Sequence, residues 1–103
     1  MDDIIQPKTK KFALRIVNLN KYLVQEKKEF VMSNQILRCG TSIGANVSEA
    51  IRGQSKADFY AKMSIALKEA NETGYWLELL YKTNYISGYR MGIQDFATTA
   101  SND

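Results

Sequence analysis

The segment from Arg38 to Ile51, RCGTSIGANVSEAI, constrains the fold more tightly than any other part of the chain. At about 100° per residue, Arg38, Ser42, Asn46 and Glu49 fall within roughly an 80° arc, and Cys39, Ile43, Val47 and Ala50 form an apolar stripe beside them. Such a segment reads as a helix that buries one side and carries a polar ladder next to it. Gly40 and Gly44 share a side with Val47 and Ile51. A glycine inside a helix costs on the order of 1 kcal/mol relative to alanine, so this pair is expected where a neighbouring helix approaches closely or the helix bends.

The rest of the chain fits an all-α domain. With 103 residues, 45% hydrophobic and 24% charged, it suits one globular domain, 1–103, with a single core. A 3.6-residue period persists along it, and no stretch holds the strict alternation of a half-buried strand. Four helices are expected, over roughly 8–26, 34–52, 55–84 and 88–102. Pro7 suits the first turn of helix one, whose inner face is Phe12, Ile16, Leu19 and Leu23. Ser33 is the expected N-cap of helix two, with Gly53 left-handed after its end. Ser55 and Asp58 resemble a capping box for helix three, and Ser87 is expected to cap helix four, which carries Met91, Ile93, Phe96, Ala97 and Ala100. The lone Cys39 excludes an intrachain disulfide, suits a reducing compartment and reads as a small core residue. The opening MDDIIQPKTKK lacks the apolar run of a signal peptide, and no segment is long enough to span a bilayer. A cytoplasmic protein without a membrane role is expected.

Helix three carries apolar residues on two sides. Phe59, Met63, Ala66, Leu67, Ala70, Gly74, Leu77 and Tyr81 make one stripe, assigned to the intramolecular core. Ile65, Glu69, Glu72, Trp76 and Leu79 make a second, more than about 100° away. The second stripe is expected to meet another copy of the chain, the alternative being cover from helix one or helix four.

The segments GTSIGANVSEA (Gly40 to Ala50), SKADF (Ser55 to Phe59), IALKEANET (Ile65 to Thr73), YWLELL (Tyr75 to Leu80) and YIS (Tyr85 to Ser87) carry a family resemblance. In this order they resemble the bacterial four-helix bundle family named after reading frames inside intervening sequences of 23S ribosomal RNA. The family is itself similar to the accessory variability protein of diversity-generating retroelements. The resemblance implies an up-down-up-down left-handed bundle and a homopentamer. From the retroelement protein it further implies binding of nucleic acid and of a reverse transcriptase through a basic surface; most members have no established activity. Gly44 stands where many relatives have proline, and Gly74 where a larger polar residue is common.

Two polar features admit functional readings. The ladder and its neighbours, Arg38, Ser42, Asn46, Glu49, Glu69, Glu72 and Trp76, are expected to satisfy one another across helices two and three and to fix register or oligomer contacts. The competing reading, a carboxylate-dependent enzyme or a carboxylate-only metal site at Glu49, Glu69 and Glu72, is weaker. With no histidine and one cysteine, common zinc sites and Ser-His or Cys-His nucleophiles cannot be assembled within the chain. TSIGANVS lacks the GK[ST] ending of a phosphate loop, and no cofactor is expected. The second feature is charge. Lys8, Lys10, Lys11, Arg15, Arg52 and Lys56 form the expected nucleic-acid-binding set, and oligomer symmetry would multiply a formal net charge of +3 per chain. An ordinary solvated lysine face is the alternative. The function expected is a non-enzymatic oligomeric module for RNA or DNA, the alternative a protein-interaction scaffold.

Overall fold

The computed structural model describes residues 2–87. Within them the chain forms α1 (Asp2–Gln25), α2 (Met32–Ile51) and α3 (Lys56–Lys82), with no strand among the described residues. The fourth helix expected over 88–102 lies outside the described residues. No described helix is long and apolar enough to cross a membrane.

Side-chain pairings give the topology. Against α1, Asn20 meets Ser33 through an Nδ2-to-carbonyl bond of 3.1 Å, Ile16 faces Gly40, and Thr9 faces Gly44, so α1 and α2 run antiparallel. Against α3, Arg38 meets Glu69 and Glu72, and Glu49 meets Lys62, so α2 and α3 run antiparallel too. The middle helix α2 therefore packs on both neighbours in an up-down-up arrangement. Phe12, Ile16 and Leu23 of α1, Ile36 and Ile43 of α2, and Leu77 and Leu80 of α3 form the core.

The two interior glycines of α2 account for the α1 contact. A Cβ built on Gly40 would stand 2.8 Å from both Cγ1 and Cγ2 of Ile16, a buried β-branched side chain with little freedom to turn away. One built on Gly44 would lie 3.3 Å from Thr9 Oγ1 and 3.4 Å from the Thr9 carbonyl carbon. Thr9 is occupied locally, its hydroxyl donating to the Ile5 carbonyl at 2.9 Å. The close approach expected from the glycine spacing is thus made by α1, at both positions.

Helix ends differ from expectation in instructive ways. Pro7 lies inside α1, because the helix begins at Asp2 rather than near residue 8. Helix α2 starts at Met32 with Val31 at the N-cap, and Ser33 sits in the first turn. Its orphan amides are bound by Glu29, whose carboxylate accepts from the Ser33, Met32 and Val31 N–H groups at 2.7, 3.1 and 3.3 Å. The Ser33 hydroxyl returns the bond, donating to the Glu29 carbonyl at 2.7 Å. A carboxylate at a helix N-terminus also meets the positive end of the macrodipole, so Glu29 does electrostatically what a serine cap would do more weakly. At the other end of α2, Arg52 closes the helix with φ −88° and no glycine among the described residues takes a positive φ, so Gly53 is not left-handed. Left-handed residues occur instead at Lys28 (φ 55°) and Asn84 (φ 68°). The Ser55 side chain accepts from the Asp58 N–H at 3.1 Å and caps α3.

The inward face of α3 is rotated from the stripe expected. Ala66, Thr73, Leu77 and Leu80 are buried, whereas Leu67 is 65% exposed and Tyr81 41% exposed. Thr73 is tolerated inside because its hydroxyl donates to the Glu69 carbonyl at 2.8 Å, leaving no unsatisfied polar atom. Trp76 consequently turns toward the core, and α2 covers part of the second stripe.

Gly40→Ala should destabilise the protein by about 1–3 kcal/mol, because the added methyl must displace Ile16. Gly74→Ala should stabilise it by about 0.5–1 kcal/mol, since no described atom lies within 4 Å of its would-be Cβ and helix propensity then decides. Urea unfolding midpoints of the two variants, moving in opposite directions from wild type, check both.

Candidate functional site

The polar ladder of α2 divides into a local part and a part that crosses to α3. Ser42 Oγ donates to the Arg38 carbonyl at 2.6 Å and Asn46 Nδ2 to the Ser42 carbonyl at 2.8 Å, so both bond back to the preceding turn of their own helix. Neither reaches α3 through these bonds, in contrast to the mutual satisfaction expected across helices; short polar side chains find the carbonyl four residues back before they span an interhelical gap. Glu49 pairs with Lys62 at 2.9 Å on an exposed rim.

Only Arg38 makes a ladder contact to the carboxylates of α3. Its Nη1 lies 3.4 Å from Glu69 Oε2, its Nη2 donates to Glu72 Oε2, and Nη2 also reaches Gln35 Oε1 at 3.3 Å. The same Glu72 oxygen accepts from Trp76 Nε1 at 3.0 Å. One carboxylate oxygen thus joins α2 to α3 through a guanidinium and fixes the indole rotamer one turn along its own helix. Glu69 is 13% exposed, Glu72 31% and Arg38 51%, which makes this a rim cluster bordering the core.

The electrostatics of the cluster limit its chemistry. The Trp76 indole N–H holds the Glu72 carboxyl below the usual glutamate range, Arg38 and Lys68 acting in the same direction and partial burial opposing them. A carboxyl so stabilised as its anion has no proton to give near neutral pH and is a weak base, so it suits an ion pair better than acid–base work. Cys39 is fully buried beneath the cluster, its Sγ 3.8 Å from the Ile36 carbonyl. Burial pushes its thiol up, with the neighbouring Thr73 side chain opposing, so the nucleophilic thiolate is suppressed.

The basic residues gather by topology. Antiparallel packing brings the start of α1, the end of α2 and the start of α3 to one end of the bundle. Arg52 and Lys56 are exposed there, and Lys10, Lys11 and Arg15 are exposed farther along α1, past the level where Thr9 faces Gly44. Lys8 is only 4% exposed, so it contributes charge from beneath the surface rather than an ammonium open to solvent.

Three features were missed in the sequence. Glu29 as a cap was hidden because it precedes the helix in a charged run, although its spacing to Ser33 was a usable signal. The Glu72–Trp76 bond was available from i,i+4 spacing. The opposite end of the bundle holds a cleft of about 580 Å³ between the ends of α1 and α3, walled by Tyr22, Tyr81 and Tyr85, of which spacing assigns Tyr81 to the core stripe of helix three.

Comparison with known proteins adds to this geometry. The sequence profile described as 23S rRNA-intervening sequence protein matches residues 1–94. The chain is similar to a crystal structure of a protein with unknown function from the S23 ribosomal protein family of Bacteroides thetaiotaomicron. Their sequences are 57% identical and the TM-score is 0.91, covering 96% of this chain and 90% of that one. No curated protein matches.

Since the folded-state pKa of Glu72 lies below its unfolded one, this carboxylate contributes stability above the ordinary glutamate range, and the contribution is lost as pH falls through that range toward the folded value. Glu72→Gln should therefore lower stability near neutrality and flatten its decline on acidification, read from urea midpoints between about pH 7 and pH 3. A decline as steep as wild type would mean that other carboxylates set the acid limb. Cys39 should resist aromatic disulfide reagents in the native protein and react at the rate of a free thiol in about 6 M guanidinium.

Proposed function

The chain belongs to the 23S rRNA-intervening sequence protein family, and from that membership we propose a non-enzymatic homo-oligomeric helical module, pentameric in its assembled form, that binds RNA or DNA through its basic end. The observation that carries the reading is that Lys10, Lys11, Arg52 and Lys56 are all exposed in the half of the bundle that holds the start of α1, the end of α2 and the start of α3. A net charge of +3 per chain is modest, but a closed ring repeats the basic end around its axis and concentrates the field. The family name, and the ribosomal label of its solved relative, accord with a nucleic-acid setting. The paired, low-pKa Glu72 favours a structural role for the polar cluster over catalysis.

Self-association is supported by apolar surface. Tyr60, Leu67 and Tyr75 are more than half exposed along α3, with Leu14 on α1 and Phe30 and Val31 before α2. Tyr60, Leu67 and Tyr75 on the one helix are the residues that another copy of the chain would cover. The same surfaces would serve a protein-interaction scaffold, and a reverse transcriptase or another protein is then the partner class; salt-dependent uptake of RNA separates the two readings.

The expected result is an oligomer near five chains by light scattering that takes up mixed-length RNA at about 50 mM salt and loses it by about 300 mM, as counterion release requires. Combined reversal at Lys10→Glu, Lys11→Glu and Arg52→Glu should abolish that uptake without changing the oligomer mass. An oligomer indifferent to RNA at both salts would favour the scaffold.

A further inference from the structure

The end of the bundle opposite Arg52 and Lys56 holds a cleft walled by tyrosines and lysines. Tyr22 near the end of α1, Tyr81 near the end of α3, and Tyr85 beyond it line the cleft together with Ile86, Lys27 and Lys82. Its volume of about 580 Å³ is in the range of small-molecule sites. Tyr22 is 42% exposed and Tyr81 41%, so each ring combines packing with solvent access.

The backbone explains how these rings come together. Asn84 takes the left-handed conformation, φ 68°, and the chain reverses through a Tyr85 N–H bond to the Leu80 carbonyl at 2.9 Å and an Asn84 N–H bond to the Tyr81 carbonyl at 3.0 Å. This is a Schellman closure, and it folds Tyr85 and Ile86 back against the core. At the end of α1 the left-handed Lys28 also reverses the chain, through a wider closure in which the Glu29 N–H bonds the Leu23 carbonyl six residues back at 2.9 Å. The reversal leaves Lys27 beside Tyr22, its ammonium 5.9 Å from the ring centroid.

We propose that this cleft receives an unpaired nucleobase of a single-stranded nucleic acid, stacked on the tyrosines, with the flanking phosphates taken by Lys27 and Lys82. The inference rests on the nucleic-acid reading above and adds to it a base-sensing contact at the other end of the molecule. The chemistry is selective for that ligand class. Aromatic faces accept any base, lysines on the rim match a phosphodiester, and the pairing of aromatic platform with cationic rim is what sequence-tolerant single-strand binding requires. Lys82 pairs with Glu78 at 2.9 Å in an exposed i,i+4 contact, which keeps its ammonium on the rim of the cleft. Lys27 over Tyr22 shows that the ring face tolerates a cation, and a base stacked there would displace the ammonium toward the phosphate. A duplex buries its bases in the stack and could use only the basic end.

The test uses the full chain and two probes of equal charge, an oligouridylate of about 12 nucleotides and the corresponding abasic ribose-phosphate strand, titrated by fluorescence anisotropy at about 50 mM salt. Wild type should bind the base-bearing strand about fivefold or more tightly, the loss expected when one stacked base is removed. Tyr22→Leu should erase that preference while leaving abasic binding unchanged, and Tyr22→Phe should retain it. Photo-crosslinking with a 5-iodouridine strand should mark peptides containing Tyr22, Tyr81 or Tyr85 in the wild-type protein, independently of any variant's folding. Equal binding of the two strands by wild type, or crosslinks confined to other peptides, would overturn the proposal while leaving the basic-end reading intact. Failure of both strands and of duplex RNA to bind would overturn both.

Discussion

The contact of α1 with the two glycines of α2 is the constraint on which the rest depends. With Ile16 against Gly40 and Thr9 against Gly44, the helices approach so that a Cβ would overlap Ile16 at the first glycine and press tightly on Thr9 at the second. That approach fixes the rotation of α2 about its axis. Once the glycine side faces α1, the 3.6-residue period directs Ile36, Ile43 and Val47 inward and leaves Arg38 on the border with α3. The polar cluster exists because α2 cannot rotate to hide it. The glycines carry a propensity cost of about 1 kcal/mol each, offset by the dispersion and apolar burial that close packing allows.

From α2 the constraint passes to α3. Arg38 grips Glu69 and Glu72 one turn apart, and Glu72 in turn holds Trp76, so three residues of α3 are registered by one guanidinium. Register set this way explains why a threonine, Thr73, occupies a buried position while Leu67 does not: the ion-paired rim decides which side of α3 turns inward, and the hydroxyl is then satisfied by its own helix. Partly exposed ion pairs contribute little to net stability, about 1 kcal/mol or less, but they exclude alternative rotations that would strand a charge against apolar surface. The cluster is better understood as a specifier of arrangement than as a reservoir of stability.

Much of this was legible in the residues. The helical class, the Ser55 cap, the partnership of Arg38 with Glu69 and Glu72, and the close approach at Gly40 and Gly44 all follow from periodicity and from residue types whose local cost demands a reason. What escaped was decided by geometry that a one-dimensional period does not encode. Ser42 and Asn46 share an arc with Arg38, yet only the long side chain spans the gap to α3. Lys8 sits within the basic run, but α1 begins earlier than its proline suggested and the lysine is buried. The inward face of α3 was misjudged because Leu67 outweighs Thr73 on any hydropathy count, whereas a satisfied hydroxyl is inexpensive to bury.

The distribution of chemistry along the bundle follows from the same antiparallel packing. Each described helix contributes one terminus to either end; Arg52 and Lys56 lie at the end opposite the tyrosine cleft, whereas Lys11 is only about 16 Å along α1 from Tyr22. The characters of the basic end and the cleft are opposite in what they can recognise. In the proposed reading, the basic end would offer charge to any phosphate chain alike, and the cleft would offer aromatic faces to an exposed base. A strand engaging both must be single over at least part of its length, and a duplex can satisfy only one. Preference for one nucleic-acid form would then emerge from the distance between two simple surfaces, with neither surface reading sequence.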